Sequence, residues 1–237
     1  MPAPLLELRH LVKSFGGLLA VAGASLSLEA GQVLALIGPN GCGKTTLFNL
    51  VSGVERPDAG VVRLAGRDVT GLPPQRLARL GIGRTFQVPG VFAALSAREH
   101  LRVAATAAGR PLLEAEEALE RAELVAVAEQ PAGELPHGLQ QRLELAMVLL
   151  QRPRVLLLDE PTAGLEVGES MAAAARIRRL ARETGAAVLV VEHDLAFVRA
   201  LAAEVAVMLR GRVVARGPYR VIAADPEVRA AYLGSRA

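Results

Sequence analysis

The chain lacks several features that define whole classes of protein. It has a single cysteine among 237 residues, so an intramolecular disulfide is excluded and a secreted, cross-linked scaffold is not expected. It contains no run of about 18 apolar residues, which excludes a membrane-spanning helix. Residues 1–13 lack a positive segment followed by a long apolar stretch, so we expect no signal peptide. We therefore expect a cytosolic chain, or one that reaches a membrane only by holding a partner.

A strong charge of one sign is also missing. Lys and Arg number 27 and Asp and Glu number 24, which leaves a net charge of +3. A small surplus of arginines accounts for the sequence pI of about 9.6, so the pI is not interpreted as a nucleic-acid signal. Hydrophobic residues make up 51% of the chain, which is too many for a disordered chain and enough to build a sizeable core.

Three short, continuous apolar runs indicate strands that are buried on both faces. Each run ends in glycine or in polar residues, and helical patterns lie between the runs. Strands that alternate with helices predict an α/β fold with a parallel sheet. Ligands bind such sheets beyond the carboxyl ends of the strands, so we expect one site there. The runs cover residues 33–37, 155–158 and 188–191, and the helical patterns cover residues 139–150 and 168–183.

The rest of the chain shows two other patterns. Loose alternation in residues 6–28, with a turn and short strands at 60–69, predicts a small antiparallel sheet. Residues 88–134 look helical: a capping box from Ser96 to Glu99 opens one helix, and residues 112–127 carry a glutamate-rich helical pattern.

Residues 38–45 match the pattern G-x-x-x-x-G-K-[ST], after a predicted strand and before the apolar helical segment 46–52. In this context the glycines let backbone N–H groups converge on phosphate oxygens, and the helix start favours an anion. Lys44 is predicted to hold the β- and γ-phosphates and the Thr45 hydroxyl to bind Mg²⁺. The alternative is a glycine-rich turn without a ligand. The residues predicted to bind nucleotide here are Gly38, Pro39, Asn40, Gly41, Cys42, Gly43, Lys44, Thr45 and Thr46.

The second apolar run ends in two acids, Asp159 and Glu160. Alone, two acids at a strand end are often solvated charge. Beside a phosphate-binding loop, a buried strand that delivers an acid is the usual Mg²⁺ arrangement of nucleotidases. Asp159 is therefore predicted to bind Mg²⁺ and Glu160 to polarise the attacking water.

The order of these motifs resembles the nucleotide-binding subunits of ABC transporters, over nearly the whole chain. Phe15 precedes the phosphate-binding loop, Thr85-Phe-Gln87 follows it, and a degenerate signature at 135–140 comes before the two acids and His193. The resemblance implies an α/β fold: a P-loop NTPase core with a mostly parallel sheet, an N-terminal antiparallel β subdomain and an inserted helical subdomain. It implies a single ATP-binding domain over residues 1–237, with the helical subdomain at about 88–150.

Within this superfamily the chain is most similar to the ATP-binding subunits of branched-chain amino acid transporters and their urea and amide relatives. The Leu-x-His-Gly signature and residues 193–198 lean toward the urea branch. The similarity lies in residues 15–17, 83–87, 159–165, 192–194 and 225–234.

The resemblance implies roles for individual residues. Phe15 would stack on the adenine ring with Val21 nearby, Gln87 would contact Mg²⁺ and the attacking water, and His193 would contact the γ-phosphate. The alternatives are an ordinary phenylalanine at position 15 and a structural histidine at the strand end. Lys44, Gln87, Glu160 and His193 are the implied catalytic residues, and Thr45, Gln87 and Asp159 the implied metal ligands. The signature that would complete the site of a second subunit comprises Leu135, Pro136, His137, Gly138, Leu139 and Gln140.

The implied function is the ATP-binding and hydrolysing subunit of an ABC importer for branched-chain amino acids or related small polar solutes such as urea or amides. ATP and Mg²⁺ are the implied cofactors. The implied partners are membrane permease subunits, a second ATP-binding subunit and, indirectly, a periplasmic or extracellular solute-binding protein, but no nucleic acid. The chain would lie at the cytoplasmic face of the membrane. The alternatives are an ABC exporter ATPase and an ABC ATPase without a membrane partner.

Several local features of the sequence lead to further expectations. Pro136 and Leu139 stand where the family usually has serine and glutamine, and Glu166 where it usually has aspartate or asparagine. We therefore expect a heterodimer with one impaired site, although backbone contacts could suffice for a homodimer. Cys42 lies at a helix N-terminus near Lys44, a setting expected to lower the thiol pKa. His10 and His100 are expected to be structural.

Overall fold

The computed structural model describes residues 4–226 and 228 and builds them around two β-sheets with helices packed against them. The fold is α/β, as the sequence predicts. In chain order the strands are β1 (Leu6–Phe15), β2 (Leu18–Leu28), β3 (Val33–Ile37), β4 (Ala59–Leu64), β5 (Arg67–Asp68), β6 (Ile82–Arg84), β7 (Val155–Asp159), β8 (Ala187–Val191), β9 (Glu204–Leu209) and β10 (Arg212–Pro218). The α-helices are α1 (Lys44–Val51), α2 (Pro74–Leu80), α3 (Ala97–Ala107), α4 (Leu112–Arg121), α5 (His137–Leu150), α6 (Val167–Thr184), α7 (Leu195–Leu201) and α8 (Tyr219–Ala224).

The larger sheet has the order β10-β9-β3-β8-β7-β6, and only the β9–β10 pair is antiparallel. The three predicted buried strands are β3, β7 and β8, and the last two are buried along their whole length. Their register aligns Leu36 with Val191 and Val191 with Asp159. The carboxyl ends of these strands therefore meet at one edge, as predicted.

The strands β6, β9 and β10 were not predicted from the sequence. β6 has only three residues, too short for a periodic pattern. β9 and β10 form a hairpin around Arg210 and Gly211, both with positive φ. Positive φ at two successive residues is typical of tight hairpin turns, although arginine is an unusual residue there.

The smaller sheet has the order β2-β1-β4-β5 and is antiparallel throughout. It confirms the predicted N-terminal antiparallel sheet. Its apolar side chains join one face of the larger sheet and α1 in a common core, while α6 and α7 pack on the opposite face.

Helices α3, α4 and α5 have an apolar core of their own. The predicted capping box is confirmed: Ser96 accepts from the Glu99 amide and the Glu99 carboxylate accepts from the Ser96 amide. Residues 88–96 are not helical, contrary to the prediction, and α4 ends at Arg121, while Val125–Val127 forms a separate 3-10 helix. Glu123 has a φ of 58°, a left-handed conformation that cannot continue an α-helix. The extent of the helical subdomain stays a prediction.

Helix α5 connects the two parts of the fold. Leu143 and Leu150 lie in the helical core, while Val148 of the same helix lies in the core under the larger sheet. Among the described residues, no helix combines the length and the apolar character needed to cross a membrane.

Candidate functional site

The phosphate-binding loop follows β3, and α1 begins at Lys44. Gly43 has a φ of 105°, and a Cβ atom there would lie 2.3 Å from the Ala20 carbonyl oxygen. Only glycine therefore fits between the loop and β2. Lys44 is buried, and its Nζ donates to the carbonyl oxygens of Gly38 and Pro39 at 2.8 and 2.9 Å. The lysine thus lies across its own loop, with Thr45 exposed beside it.

The remaining residues of the loop differ in exposure. Gly38 is buried, and a Cβ atom there would lie 2.2 Å from the Met208 carbonyl oxygen, so β9 supports the loop from behind. Asn40 and Gly41 are exposed, while Pro39 and Thr46 are half-buried.

Asp159 ends β7 as a buried carboxylate paired with a buried cation. The Arg84 Nη2 atom lies 3.0 Å from Asp159 Oδ2. Burial raises the pKa of Asp159, and the charges of Arg84 and Lys44 oppose that rise. The acid expected to bind Mg²⁺ is therefore held by a protein cation.

Arg84 was not identified as a site residue from the sequence. Its Nη1 donates to Asn49 on α1 and to Ser52, the residue after that helix, so one guanidinium joins the end of α1, β6 and β7. The group lies 5.7 Å from the centre of the Phe48 ring and 4.9 Å from that of Phe86. Burial lowers its pKa. The only signal in the sequence was its place inside the Gly83–Gln87 motif.

Glu160, Gln87 and His193 meet at the same edge of the sheet. Gln87 Nε2 donates to Glu160 Oε2 at 2.8 Å, and His193 Nδ1 lies 3.8 Å from Glu160 Oε1. The Glu160 amide donates to Val191 of β8, and the residue has a φ of 47°, a strained conformation for a non-glycine residue. Residues more than 70 positions apart in the chain are thus brought together around one carboxylate.

Glu192 organises the two turns that carry this cluster. It is completely buried, and its Oε1 accepts from the amide and the hydroxyl of Thr162. Its Oε2 accepts from the amides of His193 and Asp194. The sequence placed Glu192 in a motif but gave it no role, because a partner 30 residues away has no local signature.

Phe15 and Val21 occupy different environments. Phe15 is 44% exposed at the hairpin between β1 and β2, with Lys13 Nζ 5.1 Å from its ring centre. Its ring can therefore receive a planar ligand. Val21 is completely buried in the core. The place of Val21 near the adenine ring therefore stays a prediction.

The predicted signature forms the start of α5. Pro136 is the residue before the helix and His137 the first within it, and both are exposed. Leu135 is buried, Gly138 is half-buried, and Leu139 packs against the helical core. Gln140 Nε2 donates to the carbonyl oxygens of Ala132 and Leu135, both at 3.0 Å. The side chains of Leu139 and Gln140 thus make contacts within their own chain. The role of the signature toward a second subunit stays a prediction.

The expectation for Cys42 was wrong in direction. Its side chain is buried, and burial raises the thiol pKa by more than the nearby Lys44 lowers it.

The two histidines expected to be structural lie in different environments. His10 lies in β1, where it is exposed. His100 is buried on α3, accepts from the Phe92 amide and contacts the Ser96 carbonyl oxygen, as expected for a structural histidine.

Comparisons with known proteins agree with this architecture. The family described as ABC transporter matches residues 21–163, and the family described as branched-chain amino acid ATP-binding cassette transporter matches residues 212–237. The chain is 40% identical to BraF of Pseudomonas aeruginosa and 36% identical to LivG of Escherichia coli, with 99% of each chain covered. Both are named high-affinity branched-chain amino acid transport ATP-binding proteins.

Solved structures of ATP-binding cassettes have the same fold. A nucleotide-free cassette from an ABC transporter is similar with a TM-score of 0.90 at 29% identity, covering 97% of this chain and 99% of that one. Another cassette of an ABC transporter, in its ADP conformation, gives a TM-score of 0.88 at 30% identity, covering 98% and 99%.

Proposed function

The chain belongs to the ATP-binding cassette proteins of ABC transporters, and from that premise we propose that it is the ATPase subunit of an importer for branched-chain amino acids or related small polar solutes. The high-affinity branched-chain amino acid transport proteins BraF and LivG support this solute class. The match of residues 212–237 to a branched-chain amino acid family supports it independently of the cassette core. The end of that segment, including most of the 225–234 motif, lies outside the described residues.

One observation carries the catalytic assignment: Glu160 meets Gln87 and His193 at the edge where β3 leads into the phosphate-binding loop. Phosphoryl transfer needs positioning and charge stabilisation more than covalent chemistry. We assign Glu160 to orient or deprotonate water, Gln87 to hold that carboxylate, and His193 and Lys44 to stabilise the γ-phosphate.

Nucleotide binding requires a rearrangement at Lys44. Its ammonium group now donates to two carbonyl oxygens of the loop, and a phosphate oxygen would replace them as the acceptor. A charged acceptor forms a stronger hydrogen bond than a neutral carbonyl, so the exchange favours the bound state. Phe15 is assigned to stack on the adenine ring.

The side chains at the loop also suit Mg²⁺. The Thr45 hydroxyl, the Asp159 carboxylate and the Gln87 amide supply oxygen ligands, and Mg²⁺ prefers one or two carboxylates together with substrate phosphates. Arg84 contacts Asp159 through Oδ2 and fixes the orientation of the carboxylate. When bound, the ion would neutralise charge on the phosphates.

We further propose that the chain binds membrane permease subunits at the cytoplasmic face of the membrane, together with a second ATP-binding subunit and, indirectly, a solute-binding protein. Phe86, Val88 and Phe92 are exposed around Gln87, where an apolar protein partner can cover them. The exposed Pro136 supports a heterodimer, because proline lacks the N–H and the hydroxyl that the usual serine offers to a phosphate.

The test of the catalytic assignment is Glu160→Gln, which keeps the shape of the side chain and removes its charge. ATP binding should survive, turnover should fall by at least about 100-fold, as for loss of a general base, and the ATP-bound dimer should live longer. Nucleotide affinity and steady-state hydrolysis are measured in the complex purified with its native partners. Wild-type turnover in this variant would remove Glu160 from the role.

The solute and the partners need a separate experiment. The native complex is purified through a tag on this chain, its other subunits are identified, and ATP-driven uptake is measured in proteoliposomes. Leucine, isoleucine and valine are compared with urea and a short amide. Uptake of a branched-chain amino acid supports the proposal, while ATP-driven export or purification without a membrane subunit contradicts it.

A further inference from the structure

We propose that Glu144 is a positioning residue for hydrolysis, which holds the loop around Gln87 against helix α5 and so places Gln87 on Glu160. This inference rests on the proposed function, because it concerns a step of the same reaction. Glu144 lies in the second turn of α5, outside every motif found in the sequence.

The carboxylate of Glu144 binds both sides of Gln87. Its Oε1 accepts from the Gly90 amide at 3.0 Å and from the Phe86 amide at 3.4 Å, and its Oε2 accepts from the Phe86 amide at 3.3 Å. The backbone segment held by Glu144 therefore runs from Phe86, one residue before Gln87, to Gly90, three residues after it. Phe86, Gln87, Val88 and Gly90 are exposed, while Pro89 between them is buried.

The placement of Glu144 calls for a specific role, because burying a carboxylate is costly. The side chain is 6% exposed, and burial raises its pKa, opposed by the two amides and by the charge of Arg84. An apolar residue would fill the same position of α5 without that cost. The carboxylate supplies two hydrogen-bond acceptors to the loop around Gln87, which has no regular secondary structure of its own.

The consequence is a short chain of contacts from the signature helix to the reacting edge. α5 carries Glu144, Glu144 holds the backbone around Gln87, and Gln87 Nε2 donates to Glu160. A displacement of α5 relative to the sheet therefore moves Gln87 relative to Glu160. The phosphate-binding loop and the other two proposed Mg²⁺ ligands, Thr45 and Asp159, take no part in these contacts, so nucleotide affinity should change little when Glu144 is replaced.

The test compares Glu144→Leu, which removes both acceptors, with Glu144→Gln, whose carbonyl oxygen can replace Oε1 and reach both amides. Helix α4 offers a matched control, Glu120→Leu, at an exposed glutamate of the same helical part. For each full-length chain, ATP affinity and amide hydrogen exchange are measured alone, and kcat and KM in the native complex.

For Glu144→Leu we expect kcat to fall at least tenfold, with KM and ATP affinity within twofold of the wild type and protection lost only at residues 86–90. Glu144→Gln should lose about threefold in kcat, and Glu120→Leu should match the wild type. A buried group that served stability alone would lower ATP affinity and protection throughout the chain, without this split between kcat and KM.

The inference is overturned if Glu144→Leu keeps kcat within twofold while the loop loses protection, or if affinity and protection fall throughout the chain. Should Glu144→Leu not fold, Glu144→Ala, which also removes both acceptors, decides by the same criteria: a kcat at least tenfold lower at unchanged ATP affinity supports the role, and wild-type kcat overturns it. A wild-type complex without ATPase activity would count against the proposed function instead, and the exchange at residues 86–90 would still show whether Glu144 holds the loop.

Discussion

At Cys42 burial has a larger effect on the thiol pKa than the nearby charge of Lys44. The sequence placed the thiol at a helix start near Lys44, where a low pKa is common, but desolvation is the larger effect and raises the pKa. The thiolate is therefore scarce at neutral pH, and Cys42 should react slowly with electrophiles.

Alkylation of Cys42 provides a test of this conclusion. The rate of reaction with iodoacetamide should rise with pH through a midpoint above that of a free cysteine, because the raised pKa delays formation of the thiolate. Mg-ATP should slow the reaction, and full modification should abolish ATP binding because the label occupies the loop. Mass spectrometry gives the rate, with the urea-unfolded chain as the control. A midpoint below that of the unfolded chain would contradict the assigned environment.

Arg84 should be among the most sensitive positions of the chain. Arg84→Leu leaves the buried carboxylate of Asp159 without its cation, and breaking a buried pair in this way costs about 3–5 kcal/mol. Arg84→Lys keeps the charge but loses the planar fork, so its loss should be smaller. Urea denaturation gives the free energies of unfolding, and exposed Arg182→Leu is the control, expected within about 0.5 kcal/mol of the wild type.

The cost of Arg84→Leu should also depend on pH. Arg84 lowers the pKa of Asp159 and of Glu144, so its removal raises both further. An acid with a raised folded-state pKa stabilises the fold below its unfolded pKa and loses that contribution as pH rises through the folded pKa. The deficit should therefore be larger at pH 8 than at pH 5. A deficit that shrinks with rising pH would exclude Arg84 as the partner of these acids.

Among the elements, the phosphate-binding loop depends on a close approach to β2. Gly43→Ala must accept both a positive φ and a collision of Cβ with the Ala20 carbonyl oxygen. Gly41→Ala in the same loop meets only the positive φ, since nothing lies within 4 Å of its Cβ. We expect Gly41→Ala to cost about 1–2 kcal/mol and Gly43→Ala about 1–3 kcal/mol more, measured by urea denaturation without nucleotide. Equal losses would show that the approach to β2 is unimportant.

Elements with strong local patterns were predictable, and short ones were not. The apolar runs at 33–37 and 155–158, the capping box at Ser96 and the glycine pattern at 38–45 each occupy one continuous stretch of sequence. β6 has three residues and forms because β7 lies beside it. The early end of α4 depends on one left-handed residue, Glu123, which no periodicity reveals.

The candidate site was predictable in part for a similar reason. Lys44, Asp159, Glu160 and His193 each follow a recognisable strand, so their meeting could be inferred from parallel topology. Arg84, Glu144 and Glu192 act through partners 30 to 75 residues away, and buried charges of this kind have no local signature. The expected low pKa of Cys42 was wrong because the position of a residue in a motif does not reveal its burial.

For the whole molecule, the main question is which second subunit completes the site. We expect the chain alone to bind ATP and hydrolyse it slowly. Pro136→Ser adds a hydroxyl and an N–H at the exposed start of α5, and one hydrogen bond to a charged group contributes about 1.5–3 kcal/mol. ATP-dependent self-association should therefore tighten by about tenfold or more. Leu139→Gln would also disturb packing within the chain, since Leu139 packs against the helical core.

The matched control is Pro111→Ser, which changes an exposed proline at the start of α4 with similar backbone geometry. Analytical ultracentrifugation with Mg-ATP, in the Glu160→Gln background, measures the dimer. If the unmodified chain already associates tightly and hydrolyses ATP quickly by itself, and Pro136→Ser changes nothing, the heterodimer proposal fails.

The buried carboxylate of Glu192 also limits how this site can diverge. One side chain anchors both the turn after Glu160, through Thr162, and the backbone that carries His193. A substitution at Thr162 or Glu192 that changes the shape of one turn also changes the other. Natural substitutions at these positions therefore affect Glu160 and His193 together. Gln87 reaches Glu160 without this anchor. Substitutions that shift the Glu160 carboxylate without moving His193 are therefore expected in the loop around Gln87.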